Sequence, residues 1–149
     1  MIKKRSEFDN QFAWAEYLGN YAAYRFEEEC AQRNITSLCP KVPLRWDFIA
    51  EIKNHFKKIQ VKAVSIEKTR KMHRVPISSE NRITGERIRY KKEEIDYFAY
   101  YLSEYDTMYL IPVAVMIKAD ADKIYVYDTD FYKPSNSTTA IDITKYKYW

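Results

Sequence analysis

Two short apolar runs, "WDFIAEI" at 46–52 and "HFKKIQVKAVSI" at 55–66, constrain this chain more than any other feature. Each reads as a strand, and Lys53-Asn54-His55 reads as the turn between them. Strand side chains alternate faces, so Ile59, Val61 and Ala63 share one side while Gln60, Lys62 and Val64 share the other. In an antiparallel pair the opposed residue numbers have a constant sum. The midpoint of Asp47 and Gln60 falls at Lys53/Asn54, and that of Asp47 and Lys62 at Asn54/His55. Both lie inside the turn, so Asp47 is expected across from Gln60 and Lys62, with three polar side chains converging on one patch.

That patch belongs to a chain of 149 residues, for which one domain over 1–149 is the expectation. Apolar residues make up 46% and charged residues 31%, enough of each for a real core and a solvated surface. The longest apolar run, "YLIPVAVMI" at 109–117, is too short to span a bilayer, so no membrane partner is expected. The opening "MIKKRSEFDN" has charge without an apolar stretch behind it, so no secretory signal is expected, and a cytoplasmic or nucleoid-associated protein is the expectation. Cys30 and Cys39 have no metal-like spacing and read as reduced thiols. His55 and His73 are the only histidines, and nothing local gives either a zinc or triad partner.

Around the hairpin, residues 6–33 read as a long helix capped by Ser6, with Asp9 three residues on. Phe8, Phe12, Ala15, Gly19, Ala22, Phe26 and Cys30 recur at helical spacing, which sets Glu16 on or beside the buried stripe. Asn34 suits a left-handed stop. "SLCPKVPLRW" admits a short edge strand but no central one. Residues 67–90 read as an extended segment followed by a loop or small hairpin. Lys91 to Ser103 reads as a second helix with Ile95, Phe98, Ala99 and Leu102 on one face. "TMYLIPVAVM" at 107–116 and "KIYVYD" at 123–128 read as strands, and 129–149 as a Ser/Thr-rich, then aromatic tail. Helix, strands, helix, strands predicts a mixed α/β (α+β) domain with a central sheet flanked by helices.

Asp47 offers a charged oxygen and Gln60 a neutral one, the ligand types of a hard divalent cation. Lys62 adds a proton donor and a positive charge, suited to orienting a nucleophile or stabilising charge on a phosphate. The same trio also suits a buried Asp–Lys ion pair with glutamine as a polar spacer. Charge distribution bears on the choice. Lys53 to Lys92 holds thirteen Lys/Arg against three acids, a net of +10 that leaves −6 for the rest of a chain whose total is +4. One basic segment of that size suggests a face that meets a polyanion. Within it Lys68, Arg70, Lys71, Arg74, Arg82, Arg87 and Arg89 are the candidate contacts to that polyanion, and the segment 67–92 the candidate contacting element.

Asp47, a hairpin and then Gln60-x-Lys62 resemble the core of the PD-(D/E)xK nuclease superfamily. "QVKAV", "IDYFA" and "YLIPV", in that order, are similar to the endonucleases of bacterial group I introns within it. The resemblance covers roughly residues 10–116. It implies a restriction-endonuclease-like mixed sheet and a site-specific double-stranded DNA endonuclease of the homing type. It also implies Mg²⁺ as cofactor, Mn²⁺ able to substitute, and a homo-oligomer, dimer or tetramer. On it, Asp47 matches the metal-binding aspartate and Lys62 the catalytic lysine. Gln60 stands where Asp or Glu is usual, and Glu16 is the choice for the first-helix glutamate, with Glu27 and Glu28 as rivals. Two other functions stay open: a structure-selective nuclease such as a Holliday junction resolvase, and a DNA-binding module without catalysis.

Overall fold

The structure is a computed structural model that describes residues 2–65, 71–81, 83–117, 121–135 and 139–149. A 22-residue helix, α1 (Gln11–Gln32), precedes a five-stranded sheet built from β1 (Ser37–Leu38), β2 (Phe48–Ile52), β3 (His55–Val64), β7 (Tyr97–Leu102) and β8 (Thr107–Pro112). The strand order is β1-β2-β3-β7-β8; β3 and β7 run parallel and the other neighbours antiparallel. Between β3 and β7 lie β4 (His73–Pro76), β5 (Ser78–Glu80) and β6 (Arg87–Arg89). After β8 come a helical turn, α2 (Val113–Met116), then β9 (Lys123–Tyr127) and β10 (Ile141–Asp142). A second sheet has the order β10-β9-β4, and β5–β6 form a two-stranded ribbon.

The β2–β3 hairpin closes in two residues rather than three. Lys53 (φ 51°) and Asn54 (φ 63°) both take left-handed backbone, the requirement of the mirror-image turn that matches strand twist. His55 therefore joins the strand opposite Ile52, and Phe48 opposes Ile59. Asn34, at φ 56°, ends α1 as its residue type suggests.

Three sequence expectations give way. Residues Arg5–Glu7 form a 3₁₀ turn, so the helix starts later: Asn10, not Ser6, caps it, accepting from Ala13 N at 2.8 Å. Its buried stripe is Leu18, Ala22, Phe26 and Cys30, a clean four-residue spacing. The expected members Ala15 and Gly19 are exposed, Phe12 is 86% exposed, and Glu16 is exposed rather than beside the stripe. The predicted helix 91–103 is a turn followed by β7. Ile95, Phe98, Ala99 and Leu102 do recur at helical spacing, but Tyr100 and Tyr101 between them are buried too. A run buried on both faces carries no period, and pairing to β3 on one side and β8 on the other makes it an interior strand. Finally, the strand from Thr107 stops at Pro112, which lacks the N–H to continue a ladder, and Val113–Met116 turn into a helix.

The sheet is packed on both faces. On one, α1 buries Leu18, Ala22, Phe26 and Cys30 against Phe48, Ala50, Ile59, Val61, Ala99 and Tyr101. Phe26 is fully buried, and truncating such a ring to Ala costs roughly 3–5 kcal/mol. Burial pushes the Cys30 thiol up to about 11, which keeps it protonated; Cys39 is exposed, and both are free. On the other face Val64, Phe98, Tyr100, Tyr109 and Ile111 pack under Val75, Ile124 and Val126 of the second sheet. That is the face to which β3 also turns Gln60 and Lys62.

Candidate active site

Asp47 lies one residue before β2 and extends its ladder, donating its N–H to Ile59 O at 2.8 Å. The hairpin register therefore sets it opposite Gln60, as the constant-sum argument requires. Its Oδ2 accepts from the Val61 N–H at 2.8 Å and from Gln60 Nε2 at 2.5 Å. The carboxylate is thus fixed to the strand that carries Lys62. Gln60 is 7% exposed, and its amide also donates to Val61 O at 3.3 Å. Among the described residues, neither Asp47 Oδ1 nor Gln60 Oε1 takes a hydrogen bond. A half-turn of the Gln60 amide would set its oxygen beside the carboxylate.

Burial raises the Asp47 pKa above its ordinary value, opposed by the Val61 N–H, the Lys62 ammonium and the Gln60 amide. Burial lowers that of Lys62, offset by Asp47 and reinforced by Arg45. Both shifts come first from burial, which disfavours the charged form of each group. Lys62 and Asp47 act on each other electrostatically, but among the described residues they close no direct ion pair. Its ammonium instead lies 5.4 Å from the centroid of the Tyr90 ring.

Asp47 and Gln60 open onto a cleft of about 610 Å³, walled by Gly19, Asn20 and Ala23 of α1 and by the loop 39–46. Gly19 and Asn20 also line a second depression, shared by Glu16 and Glu80. Glu16 therefore stands on the rim, one helical turn from the cleft wall. Glu28 is spent on Arg25 at 2.7 Å, and Glu27 is exposed near the far end of the helix. Among the described residues, no three His, Cys, Asp or Glu side chains cluster as a ready metal cage.

Of the candidate DNA contacts, Lys71, Arg74, Arg87 and Arg89 are exposed. Arg74 points out of β4 while its neighbours His73 and Val75 are buried. Arg87 and Arg89 lie on β6, Arg89 3.3 Å from Asp122. Lys68, Arg70 and Arg82 lie outside the described residues. Sequence reasoning missed Arg45, Tyr90 and Glu94, which border the trio. Arg45 stands two residues before Asp47, a spacing that signals a shared side in extended chain; nothing local ties Tyr90 or Glu94 to it.

A mixed sheet whose hairpin carries an acid, an amide and a lysine beside a helix-walled cleft is a restriction-endonuclease-like fold with a polar, anion-compatible site. The family profile "PD-(D/E)XK endonuclease" matches residues 19–141, and the chain belongs to that family. Among solved structures it is similar to a bacterial homing endonuclease, I-Ssp6803I. The TM-score is 0.68 at 20% identity, over 89% of this chain and 88% of that one. At that identity the likeness speaks for the fold. No curated protein matches the chain.

Proposed function

We propose that the protein is a metal-dependent, site-specific endonuclease of double-stranded DNA, of the homing type, acting as a homo-oligomer in the bacterial cytoplasm. One observation carries the reading: Asp47 and Gln60 open onto a cleft, with the acid hydrogen-bonded to the strand that carries Lys62. Family membership and the fold likeness to a homing endonuclease support it. Among the described residues, no helix is long and apolar enough to cross a membrane.

The residues fit a divalent cation. Asp47 Oδ1 and Gln60 Oε1 are two unused oxygens at an open cleft, and Mg²⁺ keeps several waters while taking one or two protein oxygens. Asp47 and Gln60 would hold the ion, with Glu16 reaching from the rim. The ion would supply Lewis-acid charge and an activated water. The chain's own contribution follows from placement. Lys62 donates hydrogen bonds toward charge that builds on the scissile phosphate. Arg74, Arg87 and Arg89, with Lys71 and the undescribed Lys68, Arg70 and Arg82, hold the duplex, Arg having the fork that suits phosphate and guanine.

The test is cleavage of a randomised duplex library in Mg²⁺, in Mn²⁺ and in chelator. Cutting at a defined sequence is expected with either metal and none with chelator. Lys62→Ala is expected to bind the selected duplex and leave it uncut; cutting that survives this change removes Lys62 from the chemistry. Preference for a four-way junction over linear duplex would favour the resolvase reading. The glutamine at the usual acid position favours a second reading, a binding module without catalysis, which salt-dependent binding with no cutting in either metal would establish.

A further inference from the structure

Tyr90 follows the ribbon strand β6, is 4% exposed, and stacks its edge on Phe98 of β7 at 5.5 Å and 85°. Two cations meet its ring. The Lys62 ammonium lies 5.4 Å from the centroid and the Arg45 guanidinium 4.4 Å. Both fall within the range over which a cation is held by an aromatic face. Arg45 is no free charge. It reaches Glu94 through two nitrogens at 3.3 and 3.2 Å, Ser79 through a third contact, and Arg89 O at 3.1 Å. It therefore rivets three segments together: the loop leading to Asp47, the β5–β6 ribbon and the turn before β7. Lys62, by contrast, has the ring as the one contact among the described residues that fixes its head group. A four-carbon side chain with rotatable donors needs such a seat to keep one position.

We propose that Tyr90, clamped by Arg45, is the positioning residue for Lys62, its ring seating the ammonium on the strand to which the Asp47 carboxylate is fixed. The inference rests on the nuclease reading above and deepens it. The seat consists of the ring, so the hydroxyl, which meets Ser79, is dispensable for it. The clamp also makes the lysine's placement depend on the ribbon that carries Arg87 and Arg89.

Two readouts test this on the full chain. In the first, ¹H–¹³C NMR of the metal-free protein follows the ε-methylene of Lys62, assigned by its loss in Lys62→Arg. Protons held over a ring face are shifted upfield. The shift is expected in wild type and Tyr90→Phe, reduced in Arg45→Met, and lost in Tyr90→Leu. In the second, cleavage kinetics are measured in Mg²⁺ on the duplex that wild type selects from a randomised library. Tyr90→Leu is expected to lower kcat about tenfold or more with KM within about twofold, and Tyr90→Phe to recover kcat to within about threefold. Thermal melts report whether each variant folds, and if Tyr90→Leu fails to fold, Arg45→Met carries the same comparison. A missing upfield shift in wild type overturns the seat. A normal kcat in Tyr90→Leu, or equal damage in Tyr90→Phe and Tyr90→Leu, overturns the positioning role. A wild-type chain that shows the shift but cuts no DNA overturns the nuclease reading instead.

Discussion

Two aspartates in this protein each stand beside a lysine and have opposite fates. Asp128, after β9, is fully buried and saturated. Its Oδ2 accepts from Tyr109 Oη at 2.6 Å and from Lys147 Nζ at 2.8 Å, and its Oδ1 from the Asp130 N–H at 2.9 Å. Burial alone would raise its pKa; Lys147, Tyr109 and the Asp130 N–H outweigh that and hold it below the ordinary 3.8. Asp47 is half-buried and has its pKa raised; among the described residues it keeps one oxygen free of hydrogen bonds and closes no ion pair with Lys62. One carboxylate is satisfied and locks the C-terminal segment onto the sheets. The other is left wanting a positive partner at a cleft. A buried charge left short of partners is costly, and a fold that keeps one at a cleft is consistent with a role for it there.

The largest effect is expected at Asp47: Asp47→Asn should lower cleavage of the selected duplex by roughly 10²–10³-fold or more, with the melting temperature within about 2 °C of wild type. A large loss of stability would mean that Asp47 is structural like Asp128. Next, Asp128→Asn should cost about 3 kcal/mol by breaking the buried half of the Lys147 ion pair and leaving it Asp130 alone, or about 9 °C in melting temperature for a chain of this size, while the folded fraction keeps its cleavage rate. Differential scanning calorimetry with single-turnover cleavage separates the two quantities.

A pH series extends the contrast. The folded pKa of Asp128 lies below 3.8, so its stabilisation is present above that value and lost as pH falls through the folded value. For Lys147 burial would lower the pKa, but Asp128 and Asp130 raise it above 10.5, so its share is present below that value and lost as pH rises through the folded one. Wild type should therefore gain stability over Lys147→Met between about pH 4 and 10, and lose that advantage at both ends. A difference independent of pH would remove the ion pair from the account. The smallest effect is at the ribbon: Arg87→Ala should reduce the salt slope of DNA binding by about one and leave both aspartate phenotypes unchanged.

The β2–β3 hairpin was legible because everything that sets it is local. Two residues able to take positive φ, alternating strands and a constant register bring Asp47 to Gln60 with no help from the rest of the chain. The same arithmetic could not orient the Gln60 amide, find the Tyr90 ring under Lys62, or tell that Lys62 stays unpaired. Those depend on the turn 91–95 and the ribbon returning to the hairpin from later in the chain, Tyr90 standing 28 residues after Lys62. Glu16 shows the limit differently: helical spacing put it near the buried stripe, but Leu18 rather than Gly19 continues the run of Ala22, Phe26 and Cys30.

From the residues alone, then, came the hairpin, its acid–amide–lysine trio, the basic character of 53–92, the edge strand before Pro40 and the stop at Asn34. Each rests on contacts between near neighbours or on composition. Only tertiary structure made Tyr97–Leu102 a strand, since a segment apolar on every side has no period of its own and takes its form from β3 and β8 beside it. The same long-range pairing decided which lysine is locked to an aspartate and which is held by a ring, because charge satisfaction is settled by what folds back onto a group, not by what precedes it in the chain.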